Sequence, residues 1–203
     1  MIVQLLKTPF EKMQLIRFGM AGEALVSGKP HADNVAPCLL GGITLVRSYD
    51  PLDIINLEYP KNLYATIVHP QIEVKTSVSK KILKKEVPLE SAVKQWGNVA
   101  GLVAGFAKSD YDLISRSLED HVVEPTRSML IPGFYELKKA ALKVGALGCS
   151  ISGSGPSVFA LSTSIEKAGE VELAFAKIMN VSKIGFNTYV SVINSKGIEI
   201  INQ

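Results

Sequence analysis

The chain has 203 residues, of which 47% are hydrophobic and 20% are charged, a composition that suits one large folded domain or two small ones. A net charge of +3 is too mild to indicate a clustered basic face, so we expect no nucleic-acid partner. No apolar run reaches the roughly 20 residues of a membrane span and no signal peptide is visible, so we expect no membrane association. The two cysteines are too few for a disulfide framework and favour a reduced, cytoplasmic setting.

The first complete element that the sequence predicts is a helix that starts at Thr8, and residues 2–6 resemble the end of an earlier helix. Apolar residues recur at helical spacing from Phe10 to Ala24, Thr8 and Pro9 suit its first positions, and Gly28 suits its end. The remaining apolar patterns predict, in chain order, strands at 43–47, 54–57 and 63–68, helices at 76–85, 89–108, 111–119 and 132–144, strands at 147–152 and 157–161, a helix at 165–179, and strands at 189–193 and 198–201. This order is typical of an α+β protein, with a domain boundary expected near Pro60.

The segment Ser152-Gly153-Ser154-Gly155-Pro156 lies between two predicted strands. Its glycines allow a positive φ and a close approach to a ligand, and its successive backbone N–H groups can form an anion nest. A plain hairpin turn built from turn-favoured residues explains the same composition. The segment is neither a Walker A loop, nor a dinucleotide fingerprint, nor a nucleophile elbow.

The segment His31-Ala32-Asp33-Asn34 places a titrating ring, a carboxylate and an amide within four residues after the first helix. Such a set can hold the ammonium and hydroxyl groups of an amino acid, or it can simply cap the turn that starts at Val35. Glu23, one to two helical turns before Gly28, is either a surface residue or a ligand for Mg²⁺.

A third polar stretch runs over residues 119–127 and is followed by Pro132-Gly133. Arg127, after a turn broken by Pro125, can clamp a carboxylate or phosphate with two parallel hydrogen bonds, or it can form a surface ion pair. For His121 a structural hydrogen bond is the better interpretation than catalysis.

These segments, in this order, resemble one enzyme family. Residues 29–37 with Gly41-Gly42 resemble the His-x-Asp-Asn-Val-Ala-Pro…Gly-Gly segment of homoserine kinases, and Glu124-Pro125-x-Arg127 with Pro132-Gly133 resembles the same enzymes. Residues 148–157 resemble the third motif of the wider GHMP kinases (galactokinase, homoserine kinase, mevalonate kinase and phosphomevalonate kinase). This third motif indicates only the GHMP superfamily. The other two segments resemble homoserine kinases in particular.

The resemblance covers nearly the whole chain and implies a GHMP kinase fold of the α+β class. Residues 1–60 would be the C-terminal portion of the ATP-binding N-terminal domain, which is ribosomal-protein-S5-like, and residues 61–203 would be a ferredoxin-like C-terminal domain. The implied activity is the transfer of the γ-phosphoryl group of ATP, with Mg²⁺, to the hydroxyl of L-homoserine, a step towards threonine. Family members are commonly dimers, so a homodimer is expected.

The resemblance also implies roles for individual residues. Glu23 would bind Mg²⁺ and take part in catalysis, and residues Gly153, Ser154 and Gly155 would support the ATP phosphate loop. The residues placed around homoserine would be His31, Asp33, Asn34, Thr76, Lys80 and Arg127. Lys80 stands at an arginine position of the family, where it keeps the charge and loses the planar fork. Asn34 stands where related kinases are expected to carry a catalytic aspartate, so orientation, Mg²⁺ and cationic groups would carry the reaction.

One element of the family pattern is missing. The Pro-x-x-x-Gly-Leu-Gly-Ser-Ser phosphate loop does not occur among these 203 residues. We therefore expect an N-terminally truncated homologue, inactive alone, with an exposed apolar edge that favours self-association. Two alternatives stay open: a catalytically inactive ligand-binding or interaction fragment, and another GHMP small-molecule kinase, against which Asn34 argues.

Overall fold

The structure is a computed structural model and describes residues 10–75, 79 and 81–199. Its helices and strands are, in chain order, α1 (Lys12–Ser27), α2 (Val35–Leu40), β1 (Ile43–Tyr49), β2 (Leu52–Leu57), β3 (Tyr64–Pro70), α3 (Leu89–Lys108), α4 (Tyr111–Ser117), α5 (Glu124–Arg127), a 3₁₀ helix (Ser128–Leu130), α6 (Phe134–Lys143), β4 (Gly148–Ile151), β5 (Val158–Ser162), α7 (Ile165–Ser182) and β6 (Phe186–Val192). The mixture of helices and antiparallel sheet confirms the α+β class.

The chain divides into two compact units. The first unit comprises residues 1–58 and 193–203, and the second comprises residues 59–192. The division falls close to the expected boundary at residue 60, and it groups the C-terminal residues with the first unit. The assignment of residues 1–60 and 61–203 to the two GHMP domains stays a prediction.

Helix α1 begins later than the cap signal at Thr8 predicts. Its N-cap is Glu11, whose backbone N–H donates to Gln14 Oε1 at 2.9 Å. Thr8 and Pro9 lie outside the described residues. The helix ends as expected at Gly28, which has a φ of 78° and donates its N–H to the Ala24 carbonyl.

The first unit has a small core of its own. Helices α1 and α2 pack together, and strands β1 and β2 pair antiparallel with Ile43 opposite Leu57. The fully or largely buried residues of this core are Ile16, Met20, Ala32 and Ala36. The C-terminal segment joins the same unit, because Gly42 N–H donates to the Asn194 carbonyl at 2.7 Å. Ile198 and Glu199 are not in a strand, so the strand predicted at 198–201 is wrong for its described residues.

The second unit is built on a four-stranded antiparallel sheet in the order β4-β5-β3-β6. The central strand β3 pairs through Val68 with Val158 of β5 and with Thr188 of β6. Helix α7 packs on β3 and β6, and helix α6 packs on α7. The β-α-β-β-α-β order of this sheet and its helices is the ferredoxin-like arrangement that the resemblance implied.

The core of the second unit lies between the sheet and helices α6 and α7. It includes Val68, Phe134, Leu137, Cys149, Val158 and Phe175, all of them buried. Helix α3 has the predicted bounds, whereas α5 was not predicted. The predicted helix at 76–85 does not extend to its predicted end, since residues 82–85 are not helical; residues 76–78 and 80 lie outside the described range. None of the helices in the described ranges is long and apolar enough to cross a membrane.

Candidate functional site

The first unit presents the segment 31–34 between α1 and α2. Asp33 and Asn34 are exposed, while Ala32 between them and His31 is fully buried and anchors the segment in the core. The Ala32 N–H donates to the Tyr49 hydroxyl at 3.5 Å, and the His31 ring meets the Tyr49 ring edge-on, with the centroids 6.4 Å apart. Two polar side chains are thereby presented to solvent from a fixed backbone.

Asn34 occupies the N-cap position of α2, but its side chain makes no capping hydrogen bond. Asn34 thus stands at the N-cap position that the capping interpretation predicts, but its side-chain amide does not do the capping. An amide that is exposed and does not cap the helix is available to a ligand, as both donor and acceptor.

Glu23 lies on α1 and is half-buried. Among the described residues, no three His, Cys, Asp or Glu side chains are grouped so as to hold a metal ion. A protein cage for a metal is therefore not formed within these ranges. Mg²⁺ is usually held by one or two carboxylates together with substrate phosphates and water, and a single glutamate fits that mode.

The second unit carries the Gly-rich segment as the hairpin loop between β4 and β5, as the simpler interpretation predicted. Ser152 N–H donates to the Ser157 carbonyl at 2.9 Å, and Gly155 N–H donates to the Ser152 carbonyl at 3.0 Å. Gly153 and Gly155 have positive φ angles of 59° and 80°, which residues with a Cβ atom rarely adopt. The loop is also tied from outside, because Ser79 Oγ donates to the Ser154 carbonyl at 3.1 Å.

Arg127 lies beside this loop. Its Nη1 donates to the Gly153 carbonyl at 2.8 Å, and its Nε is buried without a hydrogen-bond partner among the described residues. A surface ion pair, the other interpretation of Arg127, is not what the structure shows. A buried guanidinium N–H without a partner is costly, and an anionic ligand placed against it would supply the missing acceptor.

Arg127 closes the single-turn helix α5, and Glu124 opens it. Glu124 is buried, with its side chain only 6% exposed, and it accepts hydrogen bonds from Lys138 Nζ at 2.5 Å and from Ser150 Oγ at 2.6 Å. These three residues come from α5, α6 and β4. The neighbouring Cys149 is buried as well, and this burial raises the pKa of its thiol to about 12, with Lys138 opposing the shift and Glu124 adding to it.

A shallow pocket of about 190 Å³ opens elsewhere in the second unit, between α3 and the β4–β5 side of the sheet. Its lining includes Gln95, Asn98, Leu102, Ser150 and Phe159. Of the residues predicted for substrate, phosphate or metal binding, none that the structure describes lines it. His121 lies near this region and donates its backbone N–H to Gln95 Oε1, while its ring faces Glu119, in keeping with a structural role.

Within the second unit the structure therefore brings Arg127 and Gly153 together. Within the first unit, His31, Asp33 and Asn34 lie on one short segment. Thr76 and Lys80 lie outside the described residues.

The buried partners of Glu124 were not predicted from the sequence. One feature of the sequence could have indicated them: Lys138 lies on the buried side of α6, between Leu137 and Ala141, where a lysine without a partner would be costly.

The comparisons with known proteins agree with the motifs. Residues 102–181 match the family model for the C terminal of GHMP kinases. Homoserine kinase of Chlorobaculum tepidum is 50% identical over 201 residues, which cover 98% of this chain and 62% of that protein. The chain thus spans less than two thirds of the length of this curated relative.

Solved structures give the same relationship. The crystal structure of homoserine kinase from Cytophaga hutchinsonii superimposes with a TM-score of 0.94 at 58% identity, covering 97% of this chain and 62% of that one. The L. major mevalonate kinase has a TM-score of 0.73 at 16% identity, over 96% of this chain and 62% of that one, and shows the shared fold alone. The chain therefore has the GHMP kinase fold and is a homologue of the homoserine kinases.

Proposed function

We propose that the whole protein is a homoserine kinase, which transfers the γ-phosphoryl group of ATP to the hydroxyl of L-homoserine and forms O-phospho-L-homoserine for threonine biosynthesis. The observation that carries the proposal is Arg127, whose buried Nε has no acceptor among the described residues. The chain that carries it is 50% identical to a homoserine kinase over 98% of the chain's own length. A planar guanidinium is well suited to a carboxylate, and L-homoserine carries one.

The polar residues of the first unit supply the remaining groups that an amino alcohol needs. Asp33 would attract the ammonium group, while His31 and Asn34 would orient the hydroxyl. Asn34 cannot accept a proton at neutral pH, so in this proposal it positions the attacking oxygen and does not act as a base. Phosphoryl transfer depends mainly on positioning and on stabilisation of charge, which an amide and a guanidinium can provide.

ATP and Mg²⁺ are part of the proposal. The hairpin loop Gly153-Ser154-Gly155 would support the phosphate-binding region, since its backbone is held by Ser79 and Arg127. Glu23 would supply one carboxylate to the metal ion. When bound, Mg²⁺ would neutralise charge on the phosphates.

Further parts of the proposal rest on the sequence alone. Thr76 and Lys80 would contact the substrate, with Lys80 contributing a point charge where an arginine would contribute a fork. The whole protein would act in the cytoplasm, where the unpaired Cys38 and Cys149 would stay reduced, and it would form a homodimer.

The proposal is tested in a chimera. The part of the Cytophaga hutchinsonii protein that precedes the matched region is joined to this chain, and the product is incubated with Mg-ATP and either L-homoserine, mevalonate or galactose. Mass spectrometry is expected to detect phosphorylated homoserine. Phosphorylation of mevalonate or galactose in its place would overturn the choice of substrate and favour another GHMP kinase.

Titration calorimetry on the 203-residue chain tests the other alternative, a ligand-binding domain without kinase activity. We expect L-homoserine to bind and Mg-ATP to bind little, because the Gly-Leu-Gly-Ser-Ser run is absent from these residues. Micromolar binding of Mg-ATP would contradict the second expectation. Homoserine binding with no phosphoryl transfer by the chimera would identify a ligand-binding domain without kinase activity.

A further inference from the structure

The buried cluster of Glu124, Lys138 and Ser150 has no role in the proposed reaction as described so far. Its ion pair is nearly enclosed, with side-chain exposures of 6% for Glu124 and 14% for Lys138. The second carboxylate oxygen of Glu124 is also satisfied, by the Ser150 hydroxyl at 2.6 Å. Both oxygens therefore have partners, and those partners belong to two different elements of the second unit.

A pair of this kind is weak evidence for stability. The free energy needed to remove two charges from water is about as large as the attraction between them. Well-packed apolar side chains can therefore often replace such a pair without loss of stability. Cys149, on whose thiol the charges of Glu124 and Lys138 both act, belongs to the apolar core of this unit together with Phe134 and Leu137. A buried ion pair in such surroundings is better explained by the geometry that it enforces.

The element that it holds is α5, which spans four residues, from Glu124 to Arg127, and continues into one turn of 3₁₀ helix at Ser128–Leu130. A single helical turn is not stable by itself, so tertiary contacts must hold it. Glu124 supplies them at the first position of the turn. Arg127, at the last position, lies one turn further along the same face, because residues three apart on a helix are neighbours.

Arg127 has few constraints of its own. Its Nη1 bonds to the Gly153 carbonyl, while its Nε has no partner among the described residues. The backbone that carries its side chain is set by the turn that Glu124 anchors, since Ser128 N–H donates to the Glu124 carbonyl at the end of that turn. The direction of the guanidinium thus depends on Glu124 at one end and on Gly153 at the other.

We propose that Glu124 is a positioning residue for Arg127, with Lys138 and Ser150 as its anchors, and that this cluster sets the affinity for the substrate carboxylate. The inference rests on the proposed function, which assigns that carboxylate to Arg127. It adds a residue that touches no substrate and acts only through the orientation of the guanidinium.

The orientation is tested first without a ligand. In ¹⁵N-labelled 203-residue chain, the Arg127 Nε–H signal is assigned by its disappearance in Arg127→Lys. We expect it to be sharp in the unmodified chain, and to move or broaden in Glu124→Gln and more weakly in Ser150→Ala. Glu172→Gln is the matched control, because Glu172 also accepts a hydroxyl hydrogen bond, from Thr188 at 2.6 Å, but lies on α7. An Nε–H signal that Glu124→Gln leaves unchanged overturns the proposal.

A double-mutant cycle then tests the effect on binding. Glu124→Gln is expected to weaken L-homoserine binding about tenfold, and to have no further effect in an Arg127→Ala background, because its influence passes through the guanidinium. Circular dichroism checks that each variant is folded; if Glu124→Gln is not, Ser150→Ala, which removes only one hydrogen bond, takes its place in the cycle.

The two proposals fail in different ways. If Arg127→Ala weakens binding while Glu124→Gln has no effect, or has the same effect in both backgrounds, the positioning role falls and the proposed function stands. If Arg127→Ala leaves the affinity for homoserine unchanged, the assignment of the carboxylate to Arg127 falls, and the positioning proposal falls with it.

Discussion

Nη1 of Arg127 donates a hydrogen bond to the carbonyl oxygen of Gly153 at 2.8 Å. The contact joins two features that the sequence assigned to different tasks: a residue for the substrate carboxylate and a loop for the ATP phosphates. The two residues lie 26 positions apart, so only the fold of the second unit brings them together. A substitution in the hairpin loop should therefore change the orientation of the Arg127 guanidinium, and a substitution of Arg127 should change the conformation of the loop.

Substitution of Asn34 by Ala should weaken the binding of L-homoserine roughly tenfold and lower the turnover of the chimeric kinase, because one or two hydrogen bonds to the substrate are lost. Thermal stability should hardly change, since the Asn34 side chain is exposed and does not cap α2. Calorimetry and the coupled release of ADP measure the two quantities.

Asn56→Ala is the control for this substitution. Asn56 is an exposed amide on β2 of the same unit and has no predicted contact with a ligand. It should leave both affinity and turnover unchanged. Unaltered binding and turnover in Asn34→Ala would remove Asn34 from the substrate site.

Two glycines on α3 should respond in opposite directions to substitution by alanine. A Cβ at Gly97 meets no atom within 4 Å, so Gly97→Ala should raise the free energy of unfolding by about 0.5–1 kcal/mol through helix propensity. A Cβ at Gly101 would overlap the Ser117 hydroxyl of α4, so Gly101→Ala should lower it by about 1–3 kcal/mol. Urea denaturation measures both, and equal effects would contradict the packing of α3 on α4.

The regular elements could be predicted because their apolar residues recur over many positions. Helix α3 has the bounds that its sequence pattern predicts, Leu89–Lys108, and strands β4 and β5 flank the Gly-rich loop as expected. Helices α2 and α5 were missed because they have only six and four residues and contain Pro37 and Pro125. A short segment with a proline looks like a loop until tertiary contacts are known.

The candidate site was predictable only as separate segments. Residue type and spacing indicated the chemistry of segment 31–34 and of Arg127. The partners of Glu124 could not be read in the same way, because the contact with Lys138 depends on how α5 and α6 pack. Because Lys138 lies on the apolar side of an amphipathic helix, the sequence indicates a buried acidic partner. The sequence does not identify that partner as Glu124.

Phe175 on α7 is fully buried in the core of the second unit, whereas Leu173 on the same helix is 64% exposed. Phe175→Ala should lower the free energy of unfolding by about 3–5 kcal/mol, because the cavity cannot close against the sheet. Leu173→Ala should change it by less than about 0.5 kcal/mol. Denaturant titrations of the two variants measure the difference, and comparable losses would show that α7 does not pack on the sheet as described.

Cys149 and Cys38 should differ sharply in reactivity. Cys38 is exposed, whereas burial of Cys149 raises the pKa of its thiol from 9.0 to about 12. At pH 8 the native chain should therefore take up one alkyl group from iodoacetamide, at Cys38, and the urea-unfolded chain two. Intact-mass spectrometry counts the groups, and rapid double labelling of the native chain would contradict the burial of Cys149.

The same shift in pKa predicts how stability depends on alkaline pH. Below pH 9 the Cys149 thiol is protonated in both the folded and the unfolded chain and makes no difference. Between pH 9 and about 12 the unfolded chain releases this proton and the folded chain keeps it, so rising pH favours unfolding. From pH 8 to pH 10 the unmodified chain should lose about 1 kcal/mol more than Cys149→Ala, in which the other groups still titrate but this one is absent. Parallel urea titrations at the two pH values measure that difference, and identical losses in the two proteins would show that Cys149 ionises as readily in the folded core as in water.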